Sequence, residues 1–339
     1  IARTLGILAG ALTILGVVWF SRDLHPERPV LSLLAGAFLT LHSGFVAWST
    51  AGLETTLFAF FLLLAAWAYL HYLSTGKRFW LVPVLFVLLS LTRTDGLLFF
   101  GLTLAHFAVW GLRRVDLAVL VKRLAAWALV FAALYGVYFA WRYSYYGYLL
   151  PNVFYAKIGG GVQQYLRGMR YLWQYARNYG LWVVLLPLAV LLRRKRETWI
   201  DYLALLVAVY GVYIAYAGGD GLGFFRFVVY IAPLVYLLVQ EGIAALADML
   251  VRRPAWQGRL AGVALAALAS VSLLATSQET GMALLRPDSR HWRDPQSQLV
   301  FPGRNGSNPY LWYDNYFVDR LAAAARWLDT YAPENALVA

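Results

Sequence analysis

The chain has 339 residues, of which 61% are hydrophobic, 17% aromatic and only 14% charged. A soluble domain carries about 25% charged residues, so the composition excludes an ordinary water-soluble protein and predicts an all-α polytopic membrane protein. The formal net charge of +12 is spread over short turns between apolar runs, an arrangement that argues against nucleic acid as a partner.

Apolar runs of a length that crosses a hydrocarbon core about 30 Å thick predict about ten transmembrane helices. They lie near residues 4–20, 30–47, 54–74, 79–92, 96–111, 124–141, 180–192, 200–217, 227–247 and 259–277. The runs 79–92 and 180–192 are short for a full crossing, so they are either tilted partners of a re-entrant turn or helices that extend into flanking residues. The predicted domains are a helical membrane domain at 1–277 and the start of an extracytoplasmic domain at 278–339.

The connections between these runs differ in charge on alternate sides. The turns "SRDLHPERP", "TGKR", "RRVDLAVLVKR", "RRKR" and "RRPAWQGR" hold 15 Lys and Arg residues, whereas the other set of connections holds 7. Because basic residues favour the cytoplasmic side, the first set is predicted to be cytoplasmic and the second set external. Residues after about 278 then lie outside.

The first two external connections carry three charged residues close to the ends of predicted spans. In "STAGLETT", Ser49 or Thr50 is expected to cap the next helix with Glu54 in its first turn, where a carboxylate stabilises the helix dipole or binds a sugar hydroxyl or an arginine. In "LTRTDG", Asp-Gly favours a helical hairpin, but a turn alone does not explain Arg93 beside Asp95 in an apolar setting.

The long external connection contains "YYGYLLPNVFYAK" and then the arginine-rich run "VQQYLRGMRYLWQYARNYG". Its tyrosines, including Tyr146, either belong to the interfacial aromatic belt or lie against sugar rings. Asn152 and Lys157 are five residues apart, and a lysine there suits a phosphate oxygen of a glycosyl-phosphate donor. The arginine-rich run has the pattern of an amphipathic helix lying on the membrane surface.

The last external connection, "YAGGDGLGFFRF", sets Asp220 among four glycines and places Arg226 at the start of a helix. A cation is disfavoured at a helix N-terminus, so Arg226 needs a negatively charged partner. That partner is either Asp220, in an internal pair, or a ligand. We expect a ligand-facing site with Asp220 at its water-facing mouth.

Three classes of membrane protein were compared with this distribution of charge: a transporter, a structural scaffold and an enzyme. A transporter or flippase for a lipid-linked or anionic substrate places ionisable groups near the bilayer midplane on broken helices, whereas the predicted spans are almost free of charge. A structural scaffold has no need of four polar external connections with cations at span ends. An enzyme acting at the outer face on a lipid-linked substrate fits this distribution best.

In order, the motifs "GLETT", "LTRTDG", "YYGYLLPNVFYAK" and "GGDGLGFFRF" resemble those of the GT-C membrane glycosyltransferases. The resemblance spans about residues 48–339. Within the superfamily the chain is most similar to the terminal β-(1→2)-arabinofuranosyltransferases of mycobacterial cell walls and their bacterial relatives. It implies a multi-pass protein of the bacterial plasma membrane that transfers a sugar from a polyprenyl-phosphate donor to an external glycan, lipid or protein acceptor.

The resemblance also implies roles for individual residues. Its catalytic base is an Asp on the first external loop; the chain begins at Ile1 inside an apolar run, so this base is expected upstream of residue 1. Asp95 and Asp220 then become supporting acids that orient sugar hydroxyls or a metal. Substrate binding falls to Glu54, Arg93, Tyr146, Asn152, Lys157 and Arg226. No metal ligands are assigned and no cofactor is specified, although a divalent cation is compatible with the reaction.

Overall fold

The computed structural model describes residues 1–28, 31–149, 155, 161–190, 197–220 and 222–250, with short pieces within 262–271 and at 291–293 and 300–302. The helices are α1 (Ala2–Leu24), α2 (Ser32–Leu41), α3 (Ser43–Thr50), α4 (Thr55–Thr75), α5 (Leu81–Thr92), α6 (Gly96–Gly111), α7 (Leu117–Tyr146), α8 (Gly161–Tyr179), α9 (Trp182–Ala189), α10 (Thr198–Ala217), α11 (Arg226–Val229) and α12 (Ala232–Leu250). The predicted all-α class is therefore confirmed for the described part of residues 1–273, which form one compact unit.

Helices α1, α4, α7 and α10 are each long and apolar enough to cross a membrane. Helices α2 and α3 count as a fifth span if the pair, bent by 66°, is one broken crossing. The described residues thus hold four candidate spans, or five with the bent pair, which is consistent with a membrane protein. The prediction of ten is not confirmed for the described residues, because α5, α6 and the stretch Ala232–Ala247 of α12 are apolar but shorter.

The chain between 30 and 50 departs from the single helix that its apolar run predicts. His42 separates α2 from α3, and its Nδ1 accepts a hydrogen bond of 2.9 Å from the Phe45 backbone N–H, which caps α3. Ser49 and Thr50 do not cap α4 as predicted. Both lie in the last turn of α3 and donate to carbonyls of that helix, at Phe45 and Ala47.

Helix ends elsewhere follow from local sequence. Helices α4, α7 and α10 end at Gly76, Gly147 and Gly218, each with a positive φ of 69° to 78° that glycine adopts without a Cβ clash. Helix α7 begins after Asp116, whose carboxylate accepts from the backbone N–H groups of Ala118 and Val119.

Contacts between helices define two ends of the bundle. At one end, Thr56 at the start of α4 donates 2.9 Å to the carbonyl of Gly6 at the start of α1. At the other end, the indole of Trp67 donates 3.0 Å to Asp23. Because start meets start and end meets end, helix α4 runs parallel to α1. Large buried aromatic side chains such as Trp127 pack against α4, where Trp127 contacts Tyr69 and Tyr72.

Residues 274–339 form a second compact unit, of which two strands are described. Strands β1 (His291–Arg293) and β2 (Val300–Pro302) pair antiparallel with Trp292 opposite Phe301. The remainder of the predicted extracytoplasmic domain lies outside the described residues.

Candidate functional site

Five charged residues predicted as site residues lie at helix ends on one side of the bundle. Glu54 immediately precedes α4, Arg93 immediately follows α5, and Asp95 immediately precedes α6; Asp220 follows the end of α10, and Arg226 opens α11. These five residues are called the charged cluster below. Contacts that are distant in sequence form this site: Glu54 meets Arg93, 39 positions away, and Tyr230, 176 positions away.

Arg93 joins two carboxylates. Its Nη1 donates 2.7 Å to Glu54 Oε1 and its Nε donates 3.1 Å to Asp95 Oδ2. The local backbone permits this geometry because Arg93 leaves the helix in an extended conformation, with φ −154° and ψ 143°. Gly96 allows the return turn to be tight, since a Cβ there would lie 2.6 Å from the backbone of Ser90.

Three tyrosines complete the hydrogen bonding of these carboxylates. Tyr210 and Tyr213, three residues apart on one face of α10, donate to Asp95 Oδ2 at 3.3 Å and Oδ1 at 3.0 Å. Tyr230 donates to Glu54 Oε1 at 3.2 Å. Sequence reasoning missed all three, because they lie in apolar runs; the available signal was the spacing of the two tyrosines on one helical face.

Asp220 and Arg226 form the internal pair that the sequence left open. Arg226 Nε lies 2.7 Å from Asp220 Oδ2 and Nη2 lies 3.3 Å from Oδ1, a two-point contact. The Asp220 side chain is 3% exposed and that of Arg226 is 13% exposed. The expectation that Asp220 stands at a water-facing mouth is therefore wrong, because its carboxylate is buried against the arginine.

The backbone that brings this pair together is unusual. Gly218 and Gly219 have φ of 78° and 76°, and Phe224 and Phe225 also have positive φ, at 57° and 53°. Such values are rare for bulky residues and carry a conformational cost. The segment is held in part by Tyr171 of α8, whose hydroxyl accepts a 3.2 Å hydrogen bond from the backbone N–H of Phe227.

Aromatic rings link the two halves of the charged cluster. The guanidinium carbons of Arg93 and Arg226 lie 5.7 and 5.8 Å from the centre of the Phe227 ring. Arg93 also lies 4.7 Å from the ring centre of Tyr230, and Arg226 lies 5.6 Å from that of Trp48. Cations over aromatic faces are stabilised by the ring quadrupole, so the rings position both arginines within one site.

The electrostatics of the site favour charged arginines. Burial opposes ionisation of Glu54, but the hydrogen bond and charge of Arg93, with the charge of Arg226, hold the pKa of Glu54 below its usual value. Burial likewise opposes the charge of Arg93, yet the charge of Asp95 beside it raises the pKa of Arg93 above its usual value. With every member ionised, three carboxylates and two guanidinium groups leave the cluster a net charge of −1.

Other predicted site residues are not placed in the cluster. Tyr146 ends α7 with an exposed side chain, and its ring contacts that of Tyr145 at 4.7 Å. Asn152 and Lys157 lie outside the described residues. The described part of the chain contains no group of three His, Cys, Asp or Glu residues arranged to hold a metal ion.

Chemically, the charged cluster offers N–H donors beside carboxylates, a combination suited to anionic or polyhydroxylated ligands. No protein-family model matches the chain, and no curated protein matches it.

Proposed function

We propose that the chain is an integral membrane glycosyltransferase of the GT-C type that moves a sugar from a polyprenyl-phosphate donor to an extracytoplasmic glycan, lipid or protein acceptor. The observation that carries the proposal is the convergence of the "GLETT", "LTRTDG" and "GGDGLGFFRF" segments in one charged cluster at one end of the bundle. Basic turns at the opposite end favour an external position for the cluster in a bacterial plasma membrane.

The arginines supply the part of the site suited to the donor phosphate. Toward the described residues, Arg93 donates through Nε and Nη1, and Arg226 through Nε and Nη2. One terminal amino group on each guanidinium therefore remains to donate to phosphate oxygens. As the sugar leaves the phosphate, negative charge builds on those oxygens, and donors fixed in advance stabilise that charge without reorganisation.

Asp95 and Asp220 act as supporting acids in this proposal. Asp95 accepts from Arg93 and two tyrosines, and Asp220 accepts twice from Arg226, so each fixes an arginine. Glu54 has the most exposed carboxylate of the three, at 31%, and is the one placed to accept from a sugar hydroxyl. Deprotonation of the acceptor hydroxyl is assigned to none of the described residues.

A transporter or flippase remains the second candidate because of one observation, the break between α2 and α3 at the fully buried His42. Broken helices with polar groups at the break are typical of transporter substrate sites. Other parts of the protein, however, already hold the His42 ring: it stacks on Tyr179 at 4.2 Å and its Nδ1 caps α3. These contacts favour a structural role for the break.

The test is sugar transfer from synthetic polyprenyl-phosphate sugars by the complete protein in detergent. We expect Arg226→Gln and Asp220→Asn to reduce transfer at least a hundredfold, the loss typical of removing one preorganised donor. Arg226→Lys keeps the charge but not the two-point contact, so its rate of sugar transfer should lie between those of the wild type and Arg226→Gln. Arg113→Gln, exposed in the turn after α6, is the matched control.

Undiminished transfer in folded Arg226→Gln and Asp220→Asn proteins would remove the cluster from the active site. Substrate movement across proteoliposomes without any transfer product would instead support the transporter.

A further inference from the structure

Helix α8 has three different faces. One packs on the rest of the protein through residues spaced four, three, four and four positions apart, the period of a single helical face: Gln164, Gly168, Tyr171, Tyr175 and Tyr179. The other two faces are exposed and differ in chemistry.

The packed face fixes α8 across the end of the bundle that holds the charged cluster. Gln164 Nε2 donates 2.8 Å to the carbonyl of Tyr216, and Arg167 Nε donates 3.1 Å to the carbonyl of Gly218. Gly168 brings the helix backbone against α10, because any Cβ there would overlap the carbonyl of Ala215. The orientation of the exposed faces is therefore set by the protein.

The second face is an apolar stripe of Val162, Leu166, Met169 and Trp173, again at spacings of four, three and four. Each of these side chains is between 54% and 72% exposed. Fully hydrated, such a stripe is costly, so its position at a bundle end points to contact with lipid.

The third face is basic. Arg170 and Arg177 are exposed along one edge of the apolar stripe, beside Gln163 and the half-buried Gln174. Residues 161–179 contain three arginines and no Asp or Glu. An apolar stripe bordered by arginines is the arrangement by which interfacial helices bind anionic lipid surfaces.

We propose that α8 is an interfacial helix that selects anionic phospholipids: the apolar stripe enters the acyl-chain region, and Arg170 and Arg177 bind lipid phosphates. The positive charge of α8 favours anionic lipid over a second copy of the chain as the partner of its exposed faces. A two-fold contact through α8 would bring the same arginines of both copies together, which is unfavourable without intervening acids. The proposal does not rest on the glycosyltransferase assignment.

The experiment uses the absence of natural cysteine. Met169→Cys in the full-length protein carries a bimane fluorophore, and the protein is placed in nanodiscs in which one lipid in about ten is brominated. Quenching by brominated phosphatidylglycerol is compared with quenching by brominated phosphatidylcholine. The comparison is repeated with Arg170→Gln/Arg177→Gln, and with Arg113→Gln/Arg114→Gln as a control of equal charge change at the opposite bundle end.

Each basic residue at an anionic surface contributes roughly 1 kcal/mol, about a fivefold local enrichment. We expect the brominated anionic lipid to be enriched about fivefold or more at the label in the parent protein. The preference should disappear in the Arg170→Gln/Arg177→Gln variant, persist in the control and persist in Arg170→Lys/Arg177→Lys.

Three results would overturn the proposal. Equal quenching by the two lipids in the parent would show a lipid-facing helix without selectivity. Quenching by neither lipid would show that the stripe faces water or another protein, including a second copy. Loss of the preference in the lysine variant as well as the glutamine variant would show that charge does not determine it. Thermal unfolding of each variant distinguishes these results from loss of the fold.

Discussion

Replacing Arg93 by Gln tests whether ion pairs hold the charged cluster together. The change removes the donors at 2.7 Å from Glu54 and 3.1 Å from Asp95 and leaves both carboxylates without their cation. It also takes a cation from the faces of Tyr230 and Phe227. The net charge of the cluster, with its members ionised, falls from −1 to −2.

The two carboxylates contribute unequally to the expected loss of stability. Asp95 is 6% exposed, and leaving a buried carboxylate without its cation costs about 3–5 kcal/mol. Glu54 is 31% exposed, so water replaces much of what Arg93 provides, and its share is at most about 1 kcal/mol. Tyr210 and Tyr213 still donate to Asp95, which places the total near the lower limit, about 3 kcal/mol.

The assay is reversible unfolding in mixed detergent micelles followed by circular dichroism, applied as a double-mutant cycle. Arg93→Gln should lose about 3 kcal/mol, and Arg93→Gln/Asp95→Asn should recover part of that loss, because the uncompensated charge is gone. Arg113→Gln, which is exposed, should change stability by less than about 0.5 kcal/mol. The reasoning would be refuted if the stability losses of Arg93→Gln and Asp95→Asn simply added in the double variant. It would also be refuted if the Arg93→Gln protein were as stable as Arg113→Gln.

Two further predictions concern packing and pH. His25 Nε2 lies 2.7 Å from Oε1 of the fully buried Glu241, and interaction with this carboxylate raises the pKa of His25 although burial opposes it. The stabilisation from this pair is complete below the unfolded pKa of histidine, about 6.5, and is lost as pH rises through the higher folded pKa. The melting temperature should therefore fall as pH increases above 6.5, and a His25→Gln protein with the same slope would exclude the pair as its cause. Gly168→Ala should destabilise by about 1–3 kcal/mol in denaturant unfolding, because its Cβ overlaps the Ala215 carbonyl. Gly136→Ala, where nothing lies within 4 Å of the new Cβ, should stabilise α7 by roughly 0.5–1 kcal/mol, and equal effects at the two glycines would contradict the packing argument.

The sequence predicted helices well where an uninterrupted apolar run and a local end signal determine the helix. The run 54–74 became α4 almost residue for residue, because its apolar stretch is uninterrupted and Gly76 ends it in a left-handed conformation. The run 30–47 failed as one helix because His42 caps a new helix and stacks on Tyr179, a contact between residues 137 positions apart. Hydropathy does not record such a contact.

The site was predictable to the extent that charge is expensive in an apolar setting. Arg93 and Asp95 stood out because an ionised group near a span end needs a partner, and the structure provides one for each. The tyrosines did not stand out, since a tyrosine in an apolar run is equally suited to an aromatic core. Tyr210 meets Asp95 across 115 positions, and only the packing of α10 on α6 reveals it.

Internal pairing of the cluster determines how an anionic ligand would enter it. With a net charge of −1, the five residues offer a phosphate no net attraction, so binding requires the unused amino groups of the arginines, a further cation, or the release of a carboxylate. Asp220 is 3% exposed and bound at two points, which makes its release costly. Glu54 is partly in water already and can rehydrate as it leaves Arg93. A phosphate would therefore compete with Glu54 for Arg93, while Asp220 keeps Arg226 in place, and the two arginines that look equivalent in the sequence would have different parts in binding.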